Sequence, residues 1–456
     1  MQTFAHFWGL KHMEMLSKFA RPIAGFAVAA LSICALSTSS RAQIGALGGP
    51  SGTNLQGTHA PPIDTLNTID LRQQEREQAE HALILGDWLV FPSAFVGGIY
   101  DTNPTQASSG AKASEGLRLS MSGLAERNTG ISKTDIYGMV DGRMYTNGSA
   151  STSNIATAQL GGIETYSPLP DWTFTGQGDF TRQRDLFDTL GVNHSVTNVN
   201  TTGIGVAPTT NPQVYNQLTG GGNAEKRFGR AFADLGGSVV AQLYDQTSAN
   251  GAPDNVVYTG STRGGFWMTP AFYGFVEGSG DSRNFDGGAL NSDGYRVTTG
   301  VGTGRIGLMQ GEAYVGYQEE FFHSATIGTA RGVAFGGQLD YTPLPQLDFK
   351  VGLDRTIGAT QVTTRGTSTT ITDVIGVMSY AIAPEWSASG RAGYIHTDYK
   401  GINRADDSWT VGPTLTYSVW QNFGLTLDYQ HIETSSNVPL ASFTRDIVSL
   451  GVSYKY

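Results

Sequence analysis

Acidic and basic side chains on alternate residues of apolar segments are the part of this sequence best equipped to do chemistry. Arg118, Asp179, Asp234, Asp340, Lys350, Arg391 and Asp428 all fall on the polar side of such segments. In a strand, alternation carries every second residue to one face, so these ions of both signs are candidates to share one surface. If that surface lines a channel, rings of charge filter the passing solutes. The same ions can pair across a wall and hold it, and spacing does not separate the two roles. Arg182 and Arg184 lead into the longest loop, 185–212, which folds either inward as a constriction or outward as a surface loop.

Other chemistries find less support. Beyond residue 42 the histidines are His59, His81, His194, His323, His396 and His431. None has a partner at the H-x-x-x-H spacing that turns two imidazoles toward one metal. His323, His396 and His431 all fall near the outer ends of outward-running strands, where a shared rim site competes with plain rim polarity. Cys34 is the only cysteine, which excludes disulfides, thiolate metal sites and a cysteine nucleophile once a leader containing it is removed. No G-x-S-x-G elbow is present, and glycine runs such as Gly300-Val-Gly-Thr-Gly304 lack the strand–turn–helix context of a phosphate loop. The expectation is no enzyme, no cofactor and no metal.

The elements that must position the ions are strands. The last nine residues, Val448-Ser-Leu-Gly-Val-Ser-Tyr-Lys-Tyr456, put Val448, Leu450, Val452, Tyr454 and Tyr456 on one face and Ser449, Gly451, Ser453 and Lys455 on the other. The same split divides Phe423, Leu425, Leu427 and Tyr429 from Gly424, Thr426, Asp428 and Gln430, and Leu347, Phe349, Val351 and Leu353 from Asp348, Lys350, Gly352 and Asp354. With 60 Gly and 15% charged residues, the composition also favours all-β structure.

The chain opens on Lys11, Lys18 and Arg21, an apolar run over 22–37, and the small-x-small triplet Ser40-Arg41-Ala42. That is the pattern of a secretory signal peptide cleaved after Ala42, and the run is short of the ~20 apolar residues of a spanning helix. Loss of residues 1–42 removes four basic residues and one acidic, taking the net charge from -10 to -13. An acidic chain of this kind is unsuited to nucleic acid. Residues 43–87 read as a periplasmic linker with a short helix over 68–85, capped by Thr68 and stopped by Gly86. That helix is either a barrel plug or a solvated lead-in. Residues 88–456 read as the barrel.

Within 88–456 one turn recurs: Tyr166-Ser-Pro-Leu-Pro-Asp-Trp172, Tyr341-Thr-Pro-Leu-Pro-Gln-Leu347, Tyr380-Ala-Ile-Ala-Pro-Glu-Trp386 and Tyr417-Ser-Val-Trp-Gln-Asn-Phe423, with Trp267-Met-Thr-Pro-Ala-Phe272 as a shorter relative. An aromatic closes one strand and an apolar residue, usually aromatic, opens the next, as expected for an interfacial girdle. Proline suits such turns because it fixes φ and cannot donate to the ladder. Further turns fit near 127–131, 226–230 and 305–310, and the longer connections alternate with them. Eight short turns and nine longer loops predict an antiparallel up-and-down transmembrane β-barrel of about 18 strands, with 16 as the alternative count.

The chain resembles the putative β-barrel porin 2 family over roughly 88–456. The resemblance rests on the opening strand Phe91-Pro-Ser-Ala-Phe-Val-Gly-Gly-Ile-Tyr-Asp-Thr-Asn103-Pro104, on the Tyr-Ser/Thr-Pro-Leu-Pro turns and on the aromatic terminus. It implies a barrel of the bacterial outer membrane, in some relatives tied to exopolysaccharide production. The terminal strand likewise resembles the closing strand of such barrels, which makes Tyr454 and Tyr456 the candidate signal to the barrel assembly machinery. The partners expected are that machinery, outer-membrane lipid and, for an exporting relative, polysaccharide export components. Three functions stay open: a porin-like channel for small hydrophilic solutes, a structural or adhesive barrel with a blocked lumen, and a lipid-modifying enzyme built on a Ser–His–acid set.

Overall fold

The computed structural model describes residues 82–147, 155–184, 214–245, 254–288, 290–306, 308–360, 367–438 and 441–456. The expected signal peptide, most of the linker and residues 68–81 of the expected helix lie outside them. A three-residue strand, β1 (Leu83–Leu85), comes first. Next come β2 (Trp88–Asp101), β3 (Ser114–Asn128), β4 (Ser132–Tyr145), β5 (Ile155–Leu169), β6 (Trp172–Arg184) and β7 (Val214–Phe228). The run continues through β8 (Ala231–Tyr244), β9 (Asn255–Trp267), β10 (Phe272–Phe285), β11 (Ser292–Ile306), β12 (Met309–Phe322) and β13 (Thr329–Leu344). It ends with β14 (Leu347–Thr360), β15 (Thr367–Ala383), β16 (Trp386–Lys400), β17 (Arg404–Ser418), β18 (Phe423–Ser436) and β19 (Phe443–Lys455).

Each of β2 to β19 pairs antiparallel with its sequence neighbours. β19 then returns to β2, with Ile447 opposite Asp101 and Lys455 opposite Ser93. The sheet therefore closes into an 18-stranded barrel. Closure leaves the first residues of β2 beyond the reach of the chain end. β1 covers them, pairing Leu83 with Val90, Ile84 with Leu89 and Leu85 with Trp88. Leu83–Leu85 are thus strand, not the end of a helix. Gly86, expected as a helix stop, instead turns this hairpin with φ +63. The physical reason is the bare edge of β2, whose N–H and C=O groups need partners.

The alternation expected along the strands is the alternation observed. Leu427 and Leu450 are 43% and 52% exposed, while their neighbours Thr426 and Ser449 are 2% and 0% exposed. The hidden set faces inward, because its members reach strands that are not neighbours in the wall: Arg118 of β3 meets Asp428 of β18 across β2 and β19. Side chains two or three strands apart can meet only across the concave side. The exposed set is the lipid face, and inverting one of its residues should cost accordingly. Its aromatics gather at two levels. Near the short turns, Trp386 lies 4.8 Å from Tyr417 and Phe423 lies 5.2 Å from Tyr454. Near the loops, Tyr394 lies 4.3 Å from Trp409. Trp409 and Tyr417 are eight residues apart, about 26 Å along the strand, which suits the apolar band of a tilted barrel.

Trp267 departs from the girdle expected of it. The odd-numbered residues of β9 face inward with Arg263, so its ring packs on Tyr273 at 4.8 Å and Phe266 takes the exposed outer position. Leu427→Arg should lower the stability of the barrel in phospholipid vesicles by about 2–4 kcal/mol, whereas Ser389→Arg on the inner face should cost little. Urea titration followed by tryptophan fluorescence reads both.

Candidate functional site

All seven candidate ions stand on the inner face, and three of them meet. Asp428 accepts from Arg118 Nη1 at 3.2 Å, Arg391 Nη1 at 3.3 Å and Thr414 Oγ1 at 2.6 Å. Arg118 also reaches Asp141 at 2.9 Å through Nε, and its guanidinium lies 5.6 Å from the Phe95 ring centre. Strands β3, β4, β16, β17 and β18 supply this cluster. The order of β2, β19 and β18 in the closed wall brings together residues 310 positions apart in the chain.

The other four are placed separately. Asp179 is held by neutral donors: Tyr137 Oη at 3.2 Å, Gln159 Nε2 at 2.9 Å and Thr181 Oγ1 at 2.8 Å. Asp234 accepts from Asn223 Nδ2 at 2.7 Å and lies opposite Arg263 in the β8–β9 register. Asp340 and Lys350 lie opposite each other on β13 and β14, with Asp340 exposed to the interior.

Two larger groupings escape a reading based on single strands. In the first, Arg263 donates to Glu277 at 2.7 Å through Nε and to Glu312 at 2.8 Å through Nη1, with its plane 4.0 Å from the Phe275 ring centre. Tyr273 Oη donates to the same Glu312 at 2.9 Å. In the second, Arg283 bonds Asp281 at 2.6 Å and Glu320 at 3.2 Å, and Arg296 bonds Asp354, which also accepts from Tyr314 Oη. Asp373 lies opposite Asp354, is fully buried, and neither of its carboxylate oxygens has a hydrogen-bond donor. Near the loop end, Arg445 and Asp101 are both 0% exposed and joined at 2.6 Å, with Tyr145 Oη donating to Asp101 at 2.5 Å. Ile99, Tyr145, Ile432, Phe443 and Ile447 pack around that pair. Period-2 alternation was the signal that could have flagged these arginines as inward-facing. Their partners lie on other strands and carry no such signal.

The ions form short charge-assisted bonds, several with one guanidinium shared between two carboxylates, which fixes geometry as well as charge. At the short-turn rim, outside the apolar band, the Lys226 ammonium bonded to Asp171 holds that carboxyl below its ordinary range. The histidines do not converge. His323, His396 and His431 each bond a different aspartate, Asp293 at 2.9 Å, Asp407 at 2.8 Å and Asp446 at 2.8 Å. His396 and His431 stand on the outer face, since Thr397 and Ile432 beside them point inward. Among the described residues no group of three or more histidine, cysteine, aspartate or glutamate side chains is arranged to hold a metal.

A family model described as "Putative beta-barrel porin 2" matches residues 83–456. No curated protein matches the chain. Similar solved structures include a BenF-like porin from Pseudomonas fluorescens Pf-5, 10% identical, with 81% of this chain and 99% of that one covered and a TM-score of 0.42. The siderophore receptor PirA from Pseudomonas aeruginosa is 8% identical over 80% of each chain, with a TM-score of 0.38. The siderophore receptor PiuA from Acinetobacter baumannii is 10% identical over 83% of this chain and 82% of that one, with a TM-score of 0.40.

Removing one partner of the buried Arg445–Asp101 pair leaves an uncompensated charge. Arg445→Met should therefore cost about 3–5 kcal/mol, and the double variant Arg445→Met/Asp101→Leu should recover most of the loss. A double-mutant cycle in urea measures it.

Proposed function

We propose that this chain, which belongs to the putative beta-barrel porin 2 family, is an outer-membrane channel for passive passage of small hydrophilic solutes. The observation that carries the reading is the division of the wall: an apolar outer face and an inner face lined by ions of both signs. A barrel of 18 strands is wide enough for an aqueous path, and side chains paired across it narrow that path without sealing it by backbone. Solutes then diffuse through, filtered by size and by the charges they pass.

The inner arginines named above each sit against at least one carboxylate, while Asp179 is held by neutral donors alone and Asp340 is exposed to the interior. The surplus is negative, so the channel prefers cations. In this reading the outer-membrane lipid surrounds the exposed band, and the barrel assembly machinery reads the end of β19, where Tyr454 packs on Phe423 and the Tyr456 N–H bonds the carbonyl of Pro92. The narrower form, help in exporting an exopolysaccharide together with export components, rests on the family resemblance alone. No enzymatic step enters the proposal.

A second reading, a barrel closed at its loop end, is favoured by the complete burial of Asp101, Arg445 and Thr369 at that level. Single-channel recording of the mature chain in planar bilayers separates the two. Stable conducting steps with a cation-selective reversal potential are expected, and Asp179→Asn with Asp340→Asn should move that potential toward zero. Silence from folded protein would overturn the channel reading in favour of the closed barrel. Conductance confined to a variant lacking residues 68–81 would identify that segment as a plug.

A further inference from the structure

The β13–β14 ladder runs from Leu344 opposite Leu347 up to Gly336 opposite Asp354, and stops there. Both strands continue. β13 keeps its pairing with β12 as far as Phe321 opposite Thr329, and β14 keeps its pairing with β15 as far as Thr360 opposite Thr367. Residues 329–335 and 355–360 are therefore two lips of a split in the loop-end half of the wall, about 20 Å long at strand rise. Among the described residues no other neighbouring pair parts over so long a stretch.

The groups that fasten the split come from inside the barrel. Gln318 Nε2 donates to the Arg355 carbonyl at 3.1 Å and lies 3.5 Å from the Val333 carbonyl, touching one lip and then the other. Arg283 Nη1 donates to the Ile357 carbonyl at 2.9 Å. Arg283 belongs to β10, four strands from β14 and about 19 Å away around the wall, far beyond the reach of one side chain. The upper part of β14 must therefore lie inward of β13, against the inner face of the strands before it. There Ile357 packs with Phe285, Leu290, Phe322 and Ala330. An apolar cluster thus sits directly behind the split.

The outer side of the split also has a character of its own. Val333 is 55% exposed on the lipid face, and the Arg355 guanidinium lies 5.7 Å from the Phe335 ring centre. Arg331 stands exposed one pair of residues further toward the loops. Val333 and Phe335 thus lie below one exposed cation, Arg331, while Arg355 stands at the foot of the other lip, level with Phe335. In hydrocarbon an unzipped ladder is costly, and only side chains, which can let go, replace it here. We propose that the β13–β14 split is a lateral portal that admits the acyl chain of an anionic amphiphile from the outer leaflet to the apolar cluster around Ile357. Gln318 is its latch.

The test places a bimane label on single cysteines in a Cys34→Ser background. The folded full barrel is reconstituted in phosphatidylcholine–phosphatidylglycerol vesicles containing doxyl-labelled phospholipid. Labels at Ile357→Cys and Phe322→Cys should be quenched at least half as strongly as one at lipid-facing Val333→Cys, and several-fold more than one at Ser389→Cys on the inner face of β16. Quenching no greater than at Ser389 would overturn the portal and leave the inward bend as a constriction only. Adding Gln318→Ala to the Phe322 label should raise its quenching further, with heat-modifiable gel mobility reporting that the barrel is folded. No change in a folded Gln318→Ala variant would also count against the latch and the portal. The readout is independent of ion conduction, so its failure and failure of the channel reading are separate results.

Discussion

Inside hydrocarbon a backbone N–H or C=O has no water to turn to, and this one constraint organises the whole molecule. It explains why β19 must find β2, and why the register between them leaves a problem at the foot of β2. The chain meets that problem with Leu83–Leu85, a strand too short to matter for anything except the three residues it covers. The eight connections at one end are tight, while those at the other are longer. At the tight end both β1 and the chain terminus complete the sheet.

Closure imposes a second condition on side chains. A closed sheet has one face toward lipid and one toward its own interior, so every polar residue of a spanning strand has a single place to go. The interior then holds more ions than water alone would favour in so confined a space, and they pair. Arg118 and Arg391 share Asp428, and Arg263 shares Glu277 with Glu312. Except for Arg263–Glu277, which face each other on paired strands, these pairs brace strands that the backbone ladder does not connect. They also leave charges on the surface any solute would meet, so bracing and filtering are two consequences of one arrangement.

The split between β13 and β14 is the place where the backbone rule is relaxed. The lips are served by Gln318 and Arg283, and the apolar residues that meet behind them are out of character for a lining of this kind. A wall that gives up ladder bonds over two lips of six or seven residues has exchanged stability for something that a fully zipped wall cannot do.

The barrel itself was legible in the chain, and so was the sidedness of its clearest strands. Period 2 at Val448 to Lys455 and at Phe423 to Gln430 sorts residues between lipid and interior without reference to any other strand, because pleating is a local property. The short turns were legible for a related reason, since Pro, Gly and flanking aromatics act on their own backbone. Four things were not. The hairpin at Gly86 was hidden because a Leu-Ile-Leu run suits helix and strand alike until an unpaired edge is waiting for it. The inward turn of Trp267 depended on which parity β9 takes from its neighbours. The meeting of Arg118 with Asp428, and the parting of β13 from β14, depend on curvature: which strands face one another across a lumen follows from closing the sheet. Alternation along one strand has no access to that closure, and only the assembled barrel decides it.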